Sequence, residues 1–226
     1  MPMRAKSYVF TVIAAGSVTL VFAAALWNSQ LPIQFLACLC LALLASTFKV
    51  KLPGMEGCIT PNFVPLLFAA GTMTWQETVV IAAAAGVMQT LWKAKKPPQL
   101  IQVFFNGANL ALSMGTAFAI SHEVSPNQIL VQLGIAAIVY EVLNTLSVSM
   151  VIQLITGAPL AGVWRNCHLW TFPYHLAGAL VAAVSMHTEL AMGLSVTVLG
   201  AVALYLMSTF YQEFVKRAAP AELSTT

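Results

Sequence analysis

The residue in this sequence best suited to chemistry inside a hydrophobic protein is Glu141, within the apolar segment Ile129–Ile155. It lies about twelve residues from the start of that segment, which places it near mid-membrane in a spanning helix. A charge at that depth costs about 2.5–3.5 kcal/mol on insertion scales and marks a functional site by default. A neutral Glu141 bonded to Asn106, Asn109 or Gln89 is the structural alternative, and the residue types favour neither.

His175 is the second candidate, about one turn into the apolar segment Trp170–Met186. A single histidine near a membrane interface more often completes a structural hydrogen bond than binds a ligand, and Trp164 nearby is typical of an interfacial aromatic belt. The sequence contains no HExxH, no GxSxG and no phosphate-binding glycine loop. We therefore predict a protein without enzymatic activity, metal or cofactor, and an intramembrane enzyme built on Glu141 and His175 is the less favoured hypothesis.

Two runs of polar residues recur at helical spacing, and each run shares one helix face. Side-chain amides that bond across a bundle, at about 0.6–2 kcal/mol each, explain such faces. A polar face that also lines a ligand pocket is the alternative, less favoured for the first run. The first run is Gln102, Asn106, Asn109 and Ser113, and the second is Glu141, Asn144, Thr145, Ser149 and Gln153.

Composition identifies the class of protein. Of 226 residues, 59% are hydrophobic and 8% are charged, and the mean hydropathy is +0.84, whereas soluble domains carry about 25% charged residues. The chain is therefore an integral membrane protein. A net charge of +3 without a basic patch argues against nucleic acid as a partner. The four cysteines form no CxxC pair, so we expect buried thiols rather than disulfides or a zinc site.

Eight apolar segments predict an all-α, polytopic membrane helix bundle. Asn62–Thr74 is a short, broken helix, because about 20 Å of helix is thin for a hydrocarbon core of about 30 Å. We predict one membrane domain over residues 1–217 and a short cytoplasmic tail over 218–226. The segments are Tyr8–Asn28, Leu31–Phe48, Asn62–Thr74, Thr78–Trp92, Leu100–Ser121, Ile129–Ile155, Trp170–Met186 and Leu190–Gln212.

The distribution of basic residues orients these segments. If the N-terminus is cytoplasmic and Asn62–Thr74 crosses, all ten Lys and Arg residues lie on the cytoplasmic side, as the positive-inside rule expects. Without that crossing, the lysines of 93–96 lie opposite Lys49 and Lys51. We therefore predict eight membrane segments with both termini in the cytoplasm.

Four stretches carry a family resemblance over roughly residues 45–180. They are FKVKLPGMEGCITPNFVPLLFAA, ETVVIAAAAGVMQTLWKAKKPPQLIQVFFNGANLALS, VYEVLNTLSVSMVIQLITGAPLAGVWRN and LWTFPYHLAGA. Together they resemble the multi-pass N-terminal membrane region of bacterial signalling proteins that carry GGDEF, HD-GYP or histidine kinase effectors. The matching positions are Pro53, Gly54, Gly57, Asn62, Phe63, Gln89, Phe105, Asn106, Asn144, Thr145 and Trp164.

The resemblance implies a sensor-type input domain in the bacterial inner membrane, which binds a small or lipidic ligand within the helix bundle. Signalling relatives continue into an effector, whereas this chain stops about ten residues after Lys216 and Arg217, so we expect action through a separate cytoplasmic partner. A transporter or transporter subunit using the same pocket is the alternative, and an assembly protein without a ligand is a third class. The expected pocket residues are Asn62, Gln89, Gln102, Asn106, Asn109, Glu141, Asn144, Trp164 and His175.

The topology has a direct test. A single cysteine introduced at Lys95, with the native cysteines replaced, should resist a membrane-impermeant thiol reagent in intact cells and react after the cells are opened. A matched cysteine at Glu123, on the predicted external side, should react in intact cells. Labelling of position 95 from outside would contradict the eight-segment topology.

Overall fold

The computed structural model describes residues 1–29, 31–49, 60–92, 94, 97–168 and 171–186, with 195, 197–200, 202–203, 205 and 209 nearer the C-terminus. Several predicted features lie outside these residues: Pro53, Gly54 and Gly57, the lysines at 93, 95 and 96, Trp170, most of Leu190–Gln212 and the tail 218–226. The described residues contain no strand. Their helices are α1 (Met3–Ala25), α2 (Pro32–Ser46), α3 (Phe63–Thr72), α4 (Trp75–Leu91), α5 (Leu100–Val124), α6 (Ile129–Thr156), α7 (Leu160–His168) and α8 (Phe172–Met186).

Local chemistry accounts for several helix ends. Thr74 precedes α4, and its side chain and that of Glu77 bond each other's backbone amides, which forms a capping box. Pro32 occupies the first turn of α2, where its missing amide costs nothing. Gly157 ends α6 with a φ of 76°, a left-handed conformation that glycine adopts without a side-chain penalty.

Length and composition confirm an all-helical membrane protein. Three helices, α1, α5 and α6, are long and apolar enough to cross a membrane, and α2, α3 and α8 are shorter apolar helices. The number of crossings and the side on which the termini lie stay predictions. The predicted short helix is present as α3, whose ten residues rise about 15 Å.

The sequence reasoning missed α7, between Thr156 and Trp170. Its signal is an apolar pattern at Leu160, Val163 and Trp164, beginning directly after Pro159. Trp164 reaches Thr145 on α6, about eleven residues before the end of that helix. Because this equals roughly 16 Å of helix, α7 runs back alongside α6 instead of leading away from it.

The two short helices α3 and α8 lie side by side and point the same way. Phe63 at the start of α3 packs against His175 near the start of α8, and Gly71 near the end of α3 lies against Met186 at the end of α8. His175 also contacts Glu141, near the middle of the 28-residue α6. Both short helices therefore begin at about half the depth of the bundle.

Helices α4 and α5 cross with their backbones in close contact. A Cβ placed on Gly86 would lie 2.6 Å from the backbone oxygen of Asn106 and 3.1 Å from the Cα of Gly107. Small residues of this kind let membrane helices approach closely and gain dispersion contacts.

Gly86→Ala should therefore destabilise the protein, because backbone atoms, unlike a flexible side-chain end, cannot move aside. We expect a loss of about 1–3 kcal/mol, seen as a lower Tm in detergent by intrinsic tryptophan fluorescence. Gly134→Ala in α6 is the matched control, since its added Cβ has no atom within 4 Å and alanine is the better helix former. Equal Tm values for the two variants would contradict a tight α4–α5 crossing.

Candidate functional site

Glu141 and His175 form a buried pair at the centre of the bundle. The His175 Nε2 lies 3.1 Å from Glu141 Oε2, and the exposed fractions of the two side chains are 8% and 1%. Thr171, just before α8, donates its hydroxyl hydrogen bond to the other carboxylate oxygen, Oε1. The carboxylate thus has a partner on each oxygen, and both partners belong to the start of α8.

The ring of His175 is held in one orientation. Its Nδ1 lies 3.0 Å from the carbonyl oxygen of Thr171, and because a carbonyl only accepts, Nδ1 must carry a proton. Phe63 packs against the ring in a tilted arrangement at a centroid distance of 4.3 Å, and Tyr140 lies at 5.8 Å. Aromatic walls exclude water from the contact between Nε2 and the carboxylate.

The pair can exist in two charge states without moving another side chain. With Nδ1 protonated, one further proton between Nε2 and Oε2 completes the hydrogen bond. If this proton resides on His175, the pair is an imidazolium and a carboxylate, and if it resides on Glu141, both groups are neutral. A buried charged pair is rarely more stable than an apolar replacement, because desolvation offsets the attraction. The pair is therefore poorly explained as a device for stability alone.

Trp164 connects α7 to the backbone of Glu141 through Thr145 on α6. Its indole Nε1 donates to Thr145 Oγ1 at 2.9 Å, and the Thr145 hydroxyl donates to the backbone carbonyl of Glu141. Trp164 also packs edge-on against Phe172 at the start of α8, with centroids 6.1 Å apart. The tryptophan that the sequence places in an interfacial belt thus lies between α6, α7 and α8.

Asn62 and Gln89 belong to a second buried polar cluster, just before α3. Asn62 Nδ2 donates to Ser46 Oγ at 3.2 Å and to Gln89 Oε1 at 3.1 Å. The Thr60 hydroxyl lies 2.9 Å from Asn62 Oδ1 and 3.0 Å from Gln89 Oε1. These contacts bind the end of α2, the start of α3 and the end of α4 together.

The polar residues of α5 do not act as one face. Asn106 donates to Thr90 on α4 at 2.8 Å, while Asn109 donates to the Asn144 side chain on α6 at 2.7 Å. Gln102 is exposed and its side-chain oxygen accepts from the backbone amide of Gln99, which caps α5. Asn106, Asn109 and Asn144 therefore bond neighbouring helices, and Gln102 joins neither cluster.

Of the nine residues predicted to line a pocket, the structure brings Glu141 and His175 into contact and links Trp164 to them. Asn62 with Gln89, and Asn109 with Asn144, form separate groups. Sequence reasoning did not select Thr171 or Thr60 as site residues, although both contribute hydroxyls to these groups. Their signal is position: Thr171 is four residues before His175, and Thr60 is two before Asn62, at helix starts where short hydroxyl side chains bond locally.

Among the described residues, no group of three or more His, Cys, Asp or Glu side chains is placed to hold a metal ion. The carboxylate of Glu141 has its histidine and threonine partners instead of the amides of Asn106, Asn109 or Gln89. The site's capacity is thus proton and hydrogen-bond chemistry between α6 and α8.

Removing one member of the pair should cost more than removing both. His175→Ala leaves a buried carboxylate with Thr171 as its remaining partner, so we expect a loss of about 3–5 kcal/mol in unfolding free energy. Adding Glu141→Gln should recover part of that loss, because the amide carries no charge. Denaturant unfolding in detergent micelles measures the double-mutant cycle.

Glu123→Gln supplies the control, since Glu123 is an exposed carboxylate at the end of α5. It should change stability by less than about 0.5 kcal/mol. Strict additivity of Glu141→Gln and His175→Ala would show that the two side chains do not interact.

The family model MASE9 matches residues 18–196, most of the chain, and so includes Glu141, His175 and the connecting helices. Comparison with curated proteins and with solved structures returns no match.

Proposed function

The chain belongs to the MASE9 family, a family of membrane-associated sensor regions of signalling proteins, and on that basis we propose that it is a membrane input domain whose switching element is the Glu141–His175 pair. A ligand bound within the helix bundle alters the packing of α6 and α7, and the pair transmits this change to α8. The observation that carries the proposal is the burial of an ionisable pair in an apolar bundle, where it costs free energy.

Four helices meet at this pair, which supports a switching role. Glu141 belongs to α6 and His175 to α8. Phe63 of α3 packs on the imidazole, and Trp164 of α7 bonds Thr145, one turn after Glu141 in α6. A shift of one helix by about 1 Å would lengthen the contact between Nε2 and Oε2 beyond hydrogen-bond distance. The pair therefore converts small movements of neighbouring helices into a discrete change of partner.

Contacts beyond α8 support an output in the C-terminal direction. Ser185 near the end of α8 accepts a 3.0 Å hydrogen bond from Thr197. Thr197 belongs to the predicted last segment, Leu190–Gln212, which leads to Lys216 and Arg217 on the side predicted to be cytoplasmic. We propose that a cytoplasmic signalling partner reads the position of this segment, and that the domain works as a multi-pass protein of the bacterial inner membrane.

Transport is the second candidate function, and the arrangement of α3 and α8 favours it. Both helices begin near mid-bundle, beside polar side chains, as the discontinuous helices of transporters do. In a transporter the Glu141–His175 pair would exchange a proton with substrate or solvent during each cycle. The two functions differ in whether anything crosses the membrane.

A reporter experiment separates them. A diguanylate cyclase domain joined after residue 226 of the full chain should change activity when Glu141→Gln replaces the ionisable partner of His175 with a neutral amide. We expect a change of at least about tenfold between the two forms, because a shift of about 1.4 kcal/mol between two states alters their ratio tenfold. Cyclic dinucleotide production in cells measures the effect.

Glu123→Gln is the matched control and should leave the reporter unchanged. Gradient-driven flux in proteoliposomes that Glu141→Gln abolishes would establish transport instead. Equal reporter activity in wild type and Glu141→Gln, across the lipid compositions in which the protein folds, would contradict a switching role for the pair.

A further inference from the structure

A crevice lies between α1, α5 and α6. Its volume is about 360 Å³. Aliphatic side chains, among them Val12, Leu143 and Met150, form most of its walls. Its polar lining consists of Tyr8, Asn109, Ser113, Thr116 and Ser147.

The polar groups that line this crevice differ in whether they have a hydrogen-bond partner. Tyr8 donates to Ser147 Oγ at 3.1 Å and joins the start of α1 to α6. Ser113 is 2% exposed and makes no hydrogen bond to any other residue in the described part of the chain. A hydroxyl on the wall of a cavity, without a protein partner, can bond a ligand atom or water that enters the cavity.

One basic side chain lies a helical turn from Tyr8, towards the start of α1. Arg4 is four residues before Tyr8 in α1, on the same helix face and about 6 Å nearer the N-terminus. It is exposed, and within the described residues the one ion pair is that of Glu141 with His175. Glu77 and Glu123 lie near the start of α4 and the end of α5, at the opposite end of the bundle. Arg4 is thus free to meet an anion.

The size of the crevice suits one hydrocarbon chain. Its lining on α5 runs from Asn109 to Thr116, about 10 Å of helix. Its volume is at the low end of the range for ligand pockets, about 300–1,000 Å³, which disfavours a two-chain lipid. The crevice lies among helices whose outer faces carry large exposed hydrophobic residues, such as Phe10 and Val18 on α1, so a ligand can enter from the bilayer.

We propose that this crevice binds a single-chain anionic amphiphile of the fatty-acid type. The carboxylate lies beside Arg4 at the Tyr8 end of the crevice, and the chain runs along α5 and α6 towards Thr116. The effect of binding on signalling rests on the proposed function. Leu160 of α7 also lines the crevice, so an inserted chain displaces α7, the helix whose Trp164 is bonded to Thr145.

Photolabelling tests binding directly. The full chain in nanodiscs is incubated with a diazirine analogue of palmitic acid and, separately, with the analogue of the corresponding alcohol, and the labelled peptides are mapped. We expect the acid to label α5 and α6 at the crevice and unlabelled palmitic acid to compete. Arg4→Gln should lower the affinity for the acid probe by roughly tenfold, since a charge-assisted contact is lost. The affinity for the alcohol probe should stay the same.

Filling the crevice gives the second variant. Thr116→Trp, at an exposed position on its wall, should reduce labelling by both probes. Ala119→Trp, exposed on the same helix but off the crevice, and Lys6→Gln, exposed near Arg4, are the matched controls and should change neither probe. Labelling spread evenly over the lipid-facing residues of α1, or an alcohol that binds as tightly as the acid, would overturn the proposal.

The outcomes also separate this site from the switching role of Glu141. If the crevice is labelled specifically but palmitic acid does not change reporter activity, the binding site is supported and the sensor function is rejected. A reporter that responds to Glu141→Gln, in a protein that shows no crevice labelling, would leave the sensor function standing and reject the amphiphile.

Discussion

The cost of placing a carboxylate and an imidazole in an apolar bundle is the constraint on which the rest of this structure depends. Each group is deprived of water, and their mutual contact together with Thr171 must compensate. That requirement brings the start of α8 to mid-depth, beside the middle of α6. The chain reaches this depth because α7 turns back along α6 after Gly157 instead of ending at the bundle surface.

The short helix α3 follows from the same arrangement. Its first residue, Phe63, covers the His175 ring, and the backbone before it approaches through Thr60 and Asn62. Polar backbone at this depth is tolerated because side chains bond it and neighbouring helices cover it. The cluster of Asn62, Gln89 and Ser46 therefore serves as structural support for the site, whereas the Glu141–His175 pair has the chemistry to change state.

The intramembrane polar residues have two explanations, interhelical hydrogen bonding and ligand binding. Each explanation holds for different residues of the set. Asn106 and Asn144 are committed to bonds with other helices. Ser113, on the same helix as Asn106, faces a crevice open to the bilayer. Residues on the polar face of α5 thus have different roles: some bond other helices and one lines the candidate site. The reason is that one face of a straight helix contacts different neighbours at different depths. The crevice is connected to the Glu141–His175 pair by contacts of α7 and Thr145, which lie within a few turns of α6.

The sequence by itself determined the class of protein, the positions of seven predicted helices in the described region, and the place of Glu141 near the middle of an apolar helix. Those features depend on local composition and hydrophobic length, which a bilayer imposes on each segment separately. It also identified His175, without showing that the two residues meet. The partners of Glu141, the return of α7 and the crevice between α1, α5 and α6 were decided by tertiary structure alone. They depend on which helix faces pack together, and residues 34 apart in the chain, such as Glu141 and His175, carry no local signal of their contact.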